Sequence, residues 1–209
     1  MGERGSRSEK LADVIPPNFV FSPDDPFYFG TATCEMLHYK WAAVLAAVVD
    51  FIMHLIAFGV TFYLNVHLNS MDAIVMTGTG LAWTASTLST LSMFYGLFAE
   101  KPSCFLPKLL MQHLQITVLV LLAMLSVVTM SIGIEATNSA FGTVLRVSEI
   151  ERDFGPIWPF NIAVLAFFSA ALCIWSKVQT QGAYDYLLDK DFFSQPAHNN
   201  IALRIHHEE

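Results

Sequence analysis

The chain has 209 residues, of which 54% are hydrophobic and 14% are charged, and its formal net charge is −7. A soluble domain carries about 25% charged residues, so this composition predicts a membrane protein whose first partner is the lipid bilayer. No basic patch is present to neutralise phosphates, which excludes nucleic acid as a partner.

Residues 1–40 are predicted to be an irregular cytosolic arm, because they are polar and contain four prolines. The apolar run that follows is too long for the apolar part of a cleavable signal peptide. The first six residues, MGERGS, match the pattern for N-myristoylation of Gly2. The alternative, an unmodified and disordered N-terminus, stays open.

Four long apolar runs follow the arm. They are Trp41–Leu64, Ala73–Phe98, Leu109–Ile134 and Ile157–Ser176. Each is about 20 residues or longer, enough to cross a hydrocarbon core of roughly 30 Å as an α-helix. The predicted fold class is an all-α membrane protein, a four-helix transmembrane bundle at 41–176 with short loops and a cytosolic tail at 177–209.

The orientation is predicted from the Lys and Arg residues near the ends of the runs. One side carries Lys40, Lys101, Lys108, Lys177 and Lys190, and the other carries Arg146 and Arg152. Because the side with more basic residues, five against two, is expected to face the cytosol, both chain termini are predicted to be cytosolic. The third loop, with its charged stretch, is then an outer loop, and one short solvated helix is expected in it.

Three cysteines, Cys34, Cys104 and Cys173, fall on or near the predicted cytosolic side. The outer loops contain none, so no disulfide is expected there. This pattern, with loops this short, disfavours tetraspanins and claudins. Cys104 lies in the second loop between two prolines, where it is either a site of S-acylation or an unmodified thiol.

Asp50 and His54 form the most unusual pair inside a run. Asp50 lies ten residues after Lys40, about 15 Å into the first helix and near the predicted bilayer midplane. A charge there costs at least about 2.5–3.5 kcal/mol, so a partner is expected, and His54 lies one turn away on the same face. The pair is interpreted either as a bond between helices or as a proton- or ion-handling site.

The other polar residues of the runs suggest packing. Hydroxyl and glycine residues spread around the second run, which favours close helix contacts over a pore. Gln112, His113 and Gln115 are predicted to reach lipid headgroups at the cytosolic end of the third run. No catalytic constellation, phosphate loop or metal cluster occurs, so the sequence predicts a non-enzyme without catalytic residues, cofactor or metal.

The tail contains Tyr184 and Leu187 three residues apart, the spacing of a tyrosine-based sorting signal that adaptor complexes bind in extended form. With Leu188 the same residues also form one face of a helix that continues the last run. Both interpretations stay open.

Two motifs and the span count resemble the lysosomal-associated transmembrane protein family. Cys34-x-x-x-His38 precedes the first run, as in that family's Cys- and His-containing entry, and Ala183–Leu188 (AYDYLL) is similar to its Cys-Tyr-x-Tyr stretch. The family's additional entry cysteines and its C-terminal Pro-Pro-x-Tyr motifs are absent. The resemblance implies a membrane protein of endosomes or lysosomes that acts by association.

The predicted function is therefore a non-enzymatic multi-pass protein of endosomal or lysosomal membranes that organises or traffics other membrane proteins or lipids. Its expected partners are adaptor complexes, other membrane proteins or further copies of itself. One alternative is a proton- or ion-coupled transport or channel subunit that uses Asp50 and His54. Another is a MARVEL-type vesicle or junction protein, for which the plasma membrane is the alternative location.

Overall fold

A computed structural model describes residues 28–29, 36–68 and 73–194. Its helices are α1 (Tyr39–Leu68), α2 (Ala73–Ala99), a 3-10 turn (Pro102–Phe105), α3 (Leu106–Ile132), α4 (Ile134–Phe141), α5 (Val147–Phe154) and α6 (Trp158–Ser194). Gly2, Cys34 and the last fifteen positions, 195–209, lie outside the described residues, so the predictions made for them stay predictions.

The predicted all-α membrane character is confirmed. Among the residues that the structure describes, three segments are long and apolar enough to cross a bilayer, namely Tyr39–Tyr63, Pro102–Ile132 and Trp158–Phe192. Helix α2 has 27 residues and no charge, but it is not among these three segments, because hydroxyl groups and glycines interrupt its apolar residues.

The start of α1, the end of α2 and the end of α6 lie at one end of the bundle. Glu100, directly after α2, is 3.9 Å from Lys40 at the start of α1. The same carboxylate accepts a 2.6 Å hydrogen bond from Lys190 near the end of α6. Helices α1 and α2 are therefore antiparallel neighbours, and α6 returns to the end at which α1 begins.

A tight turn joins α2 to α3. Glu100 has a φ of 53°, and the chain then runs back along α2, so that Ser92 donates a 3.1 Å hydrogen bond to the carbonyl of Cys104. Gly96 allows this approach, because a Cβ atom there would lie 2.8 Å from Cβ of Cys104. The bend starts α3 at Leu106, earlier than the predicted Leu109.

Helix α6 continues well beyond the predicted end of the fourth run at Ser176. Its 37 residues extend about 55 Å, and Leu187 near its end is only 2% exposed. Leu187 belongs to a buried apolar cluster with Met93 of α2 and Phe105 of the turn. Residues 177–194, which the sequence assigns to the cytosolic tail, therefore continue α6, as in the helical alternative for Tyr184, Leu187 and Leu188, and the segment gains apolar contacts by staying helical.

The third loop holds two short helices, α4 and α5, where one was predicted. These two helices and their connection are called the cap. Gly133 and Gly155, which have φ values of 123° and 73° that favour glycine, lie at its two ends, after α3 and before α6. The ring of Phe141 in α4 meets the ring of Trp158 edge-on, with the centroids 5.4 Å apart. The cap is thus packed on the end of the bundle opposite to Glu100.

Candidate functional site: a buried polar cluster

An ion pair joins α1 to α3 in the bundle interior. Nζ of Lys108 lies 2.6 Å from a carboxylate oxygen of Asp50, and the two side chains are 1% and 5% exposed. The same ammonium donates a 2.9 Å hydrogen bond to the hydroxyl of Thr90 in α2. One charged pair therefore connects three helices, and its burial makes the loss of either partner costly.

Lys108 is not the loop residue that the sequence predicted. It is the third residue of α3 and is fully buried, so Lys108, rather than the expected His54, is the charged partner of Asp50. The orientation count also changes, because Lys108 is neutralised inside the bundle. Four basic residues, rather than five, then stand against two.

His54 lies beside this pair but does not bind the Asp50 carboxylate. Its Nδ1 is 2.6 Å from the backbone carbonyl of Asp50, which can only accept, so Nδ1 carries the hydrogen. In the neutral ring Nε2 then accepts from the hydroxyl of Ser86, at 2.9 Å, and from the amide of Gln115, at 2.7 Å. The predicted pairing of the Asp50 and His54 side chains is therefore not formed. Asp50 pairs with Lys108, and His54 bonds Ser86 and Gln115 beside that pair.

A third set of bonds joins α3 to α6. The amide nitrogen of Gln112 donates to the hydroxyl of Ser176, at 2.9 Å, and more weakly to that of Thr180, at 3.5 Å. Gln112 has no exposed surface, so the prediction that it reaches lipid headgroups is wrong. His113, its neighbour in sequence, is exposed and accepts a 3.2 Å hydrogen bond from Lys177.

All four long helices contribute to this buried polar cluster. Its members are Asp50 and His54 of α1, Ser86 and Thr90 of α2, Lys108, Gln112 and Gln115 of α3, and Ser176 and Thr180 of α6. Sequence analysis singled out only Asp50 and His54 as a site, and it was wrong to assign Gln115 to lipid headgroups, because its amide bonds His54 and Ser86. The missed signal is the spacing of Lys108, Gln112 and Gln115, which at i, i+4 and i+7 form one polar face of a helix.

The predicted sorting residues are helical and partly buried. Leu187 lies in the apolar cluster, and the ring of Tyr184 is 6.4 Å from that of Phe105. An adaptor binds such a signal in extended form, so the structure shows the helical alternative. Cys104 lies in the 3-10 turn with its thiol free, and its acylation stays a prediction.

Charges outside the bundle hold the end of α6. The hydrogen bond from Lys190 lowers the pKa of Glu100 below its usual value, and the charges of Lys190 and Lys40 act in the same direction. Asp189 accepts a 3.4 Å hydrogen bond from the hydroxyl of Tyr28. Within the described ranges, no group of three or more His, Cys, Asp or Glu residues could hold a metal ion.

Comparison with known proteins relates the chain to a nematode protein. It is 39% identical over 196 residues to Protein cuti-1 of Caenorhabditis elegans, and the match covers 91% of this chain and 93% of that protein. No protein-family model matches the chain. No solved structure matches it significantly.

Proposed function

The chain belongs to the same family as Protein cuti-1 of Caenorhabditis elegans, and we propose that it is a non-enzymatic four-span membrane protein that organises or traffics other membrane proteins or lipids. The observation that carries the proposal is the use of the buried polar groups. The carboxylate, the ammonium and the imidazole of the cluster all bond neighbouring helices. Such bonds support a fixed scaffold that acts through its surface.

The four-span arrangement follows from how the helices connect. If α1 crosses the bilayer, α2 must cross it back, because Glu100 after α2 lies beside Lys40 at the start of α1. Helix α2 has the length to do so, since 27 residues extend about 40 Å. Its hydroxyl groups are partly satisfied inside the bundle, where Ser86 and Thr90 meet side chains of α1 and α3.

The lengths of α3 and α6 support a proposed position for the membrane boundaries. Ile132 at the end of α3 is 72% exposed, so the apolar belt extends to this residue. His113 lies about 28 Å along α3 from Ile132, and Lys177 lies about 28 Å along α6 from Trp158. Both distances are close to the thickness of a hydrocarbon core. The bonded pair of His113 and Lys177 then marks the cytosolic boundary.

With the membrane boundaries at these residues, Asp50 lies away from the bilayer midplane, where the sequence predicted it. Lys108 lies about 36 Å along α3 from Ile132, and Asp50 lies about 27 Å along α1 from Leu68. The ion pair is then near the cytosolic boundary, a depth that suits a bond between helices better than the centre of a transport path.

We propose endosomal or lysosomal membranes as the location, which rests on the resemblance to the lysosomal-associated transmembrane protein family. Tyr184 acts as a sorting signal there only where the end of α6 unwinds into the extended form that adaptors bind. The test is imaging of a tagged Tyr184→Phe variant, which keeps the ring against Phe105 but removes the hydroxyl that adaptors recognise. Tyr186→Phe is the matched control. Redistribution of the Tyr184 variant alone supports Tyr184 as part of a sorting signal, and unchanged lysosomal residence of that variant excludes this role.

The scaffold role itself is tested by crosslinking the parent protein in its native membrane. Reproducible crosslinks to a small set of membrane proteins, or to further copies of the chain, are expected. Recovery of the protein without any crosslinked neighbour contradicts the role.

A second candidate, an ion- or proton-coupled transport subunit, is favoured by one observation, the ionisable pair of Asp50 and Lys108 inside the bundle. Purified parent protein in proteoliposomes distinguishes the two functions. A pH-dependent ion flux supports transport, whereas vesicles that remain as tight as protein-free vesicles exclude it.

A further inference from the structure

A cavity of about 360 Å³ lies at the cap end of the bundle, between the end of α3, helix α5 and the start of α6. Its apolar lining includes Met130, Ile134, Val147, Ile157 and Trp158, and Glu151 is its one charged lining residue. This volume is within the range of about 300–1,000 Å³ that is typical of small-molecule sites.

The lining continues onto the lipid-facing surface. Met130, Ile134 and Ile157 are about half exposed, although each also lines the cavity. These residues are adjacent to the ends of two helices that can cross a bilayer. The cavity therefore opens toward acyl chains on one side, whereas Glu151 lies on α5 at the polar surface.

Glu151 differs from its acidic neighbours in its partners. Arg152, the arginine of α5, forms ion pairs with Glu149 at 3.0 Å and with Asp153 at 3.2 Å. Across the described cap, the side chain of Glu151 makes no ion pair or hydrogen bond with protein. Its carboxylate is thus available to a cation from outside the chain.

We propose that this cavity binds a phospholipid with a primary-amine headgroup, of the phosphatidylethanolamine type. A segment of one acyl chain fills the apolar part, and the ammonium of the headgroup contacts the carboxylate of Glu151. The cap as a whole favours a cation, since four acidic residues stand against two arginines between residues 134 and 157. The inference requires α3 and α6 to cross the membrane, but it does not depend on the scaffold role.

The test uses Trp158, which lines the cavity, as a reporter. Replacing Trp41, Trp83 and Trp175 by Phe leaves one tryptophan, whose quenching by brominated acyl chains reports lipid contact. Titrations in mixed vesicles of phosphatidylethanolamine and phosphatidylglycerol, with one lipid brominated at a time, give the relative binding constant of the two. We expect a preference of about fivefold for the amine lipid, the size expected for a partly exposed ion pair.

Glu151→Gln should reduce this preference to near one, and Glu149→Gln, the matched control on the same helix, should leave it unchanged. Val147→Phe, which fills the cavity, should weaken quenching by both lipids. Equal quenching by the two lipids in the parent, or a preference that survives Glu151→Gln, overturns the proposal. A parent whose Trp158 is not quenched at all also overturns it.

Discussion

Removing one partner of the buried ion pair should destabilise the bundle far more than removing both. Lys108→Met leaves the Asp50 carboxylate in a site where it is 5% exposed, and Asp50→Leu leaves the Lys108 ammonium 1% exposed. Loss of one partner of such a pair costs about 3–5 kcal/mol, because the remaining charge stays buried without compensation. Each single variant should lose about this much of the free energy of unfolding.

The double variant Asp50→Leu, Lys108→Met should recover most of that loss. Two apolar side chains of similar volume replace a buried ion pair at little cost, so its free energy of unfolding should lie within about 1 kcal/mol of the parent. The coupling between the two sites, which is the sum of the two single losses minus the loss in the double variant, is then at least about 5 kcal/mol.

The assay is reversible unfolding in mixed micelles by titration with SDS, followed by tryptophan fluorescence. Arg152→Gln is the control, because its ion pairs are exposed and their loss should change the free energy of unfolding by less than about 1 kcal/mol. A double variant that loses the sum of the two single losses would refute the reasoning, since the charges would then not stabilise each other.

Two further predictions concern the end of the bundle at which α1 begins. Gly182→Ala should cost about 1–3 kcal/mol in the same titration, because the new methyl group would meet the ring of Tyr39, whereas Gly80→Ala, which meets nothing, should be neutral or stabilising. The pKa of Glu100 is lowered in the folded protein, so its contribution to stability is present above the usual value of 4.5 and is lost as pH falls below it. Hydrogen-exchange protection factors at the end of α6 should accordingly fall as the pH drops below 4.5, and Glu100→Gln should reduce that fall. A fall of equal size in the variant would contradict the assignment.

The long helices could be predicted from the sequence because apolar runs of this length have few alternatives in a membrane. The start of α3 could not be predicted, since Pro102 and Pro107 indicate a loop. Pro107 is in fact at the first turn of α3, where proline is tolerated because its missing N–H would have no helical partner. Lys108 was therefore assigned to the loop, and the partner of Asp50 was missed.

The extension of α6 beyond Ser176 depended on contacts that no local pattern contains. Its polar composition is typical of a tail, yet Tyr186 packs edge-on against Tyr28 and His38, with ring centroids 5.0 and 4.6 Å apart. Residues about 150 positions earlier thus decide whether this segment is helical. The polar groups of the candidate site were visible singly, but which of them meet depends on the packing of four helices.

Labelling of single cysteines in cells whose plasma membrane alone is permeabilised tests the four-span arrangement most directly. In a background without the native cysteines, Lys101→Cys should react with a membrane-impermeant maleimide at once, whereas Ser70→Cys and Glu149→Cys should react only after detergent opens the organelle membranes. Labelling of Ser70→Cys together with Lys101→Cys before detergent is added would show that α2 does not cross the bilayer, and the four-span arrangement would be wrong.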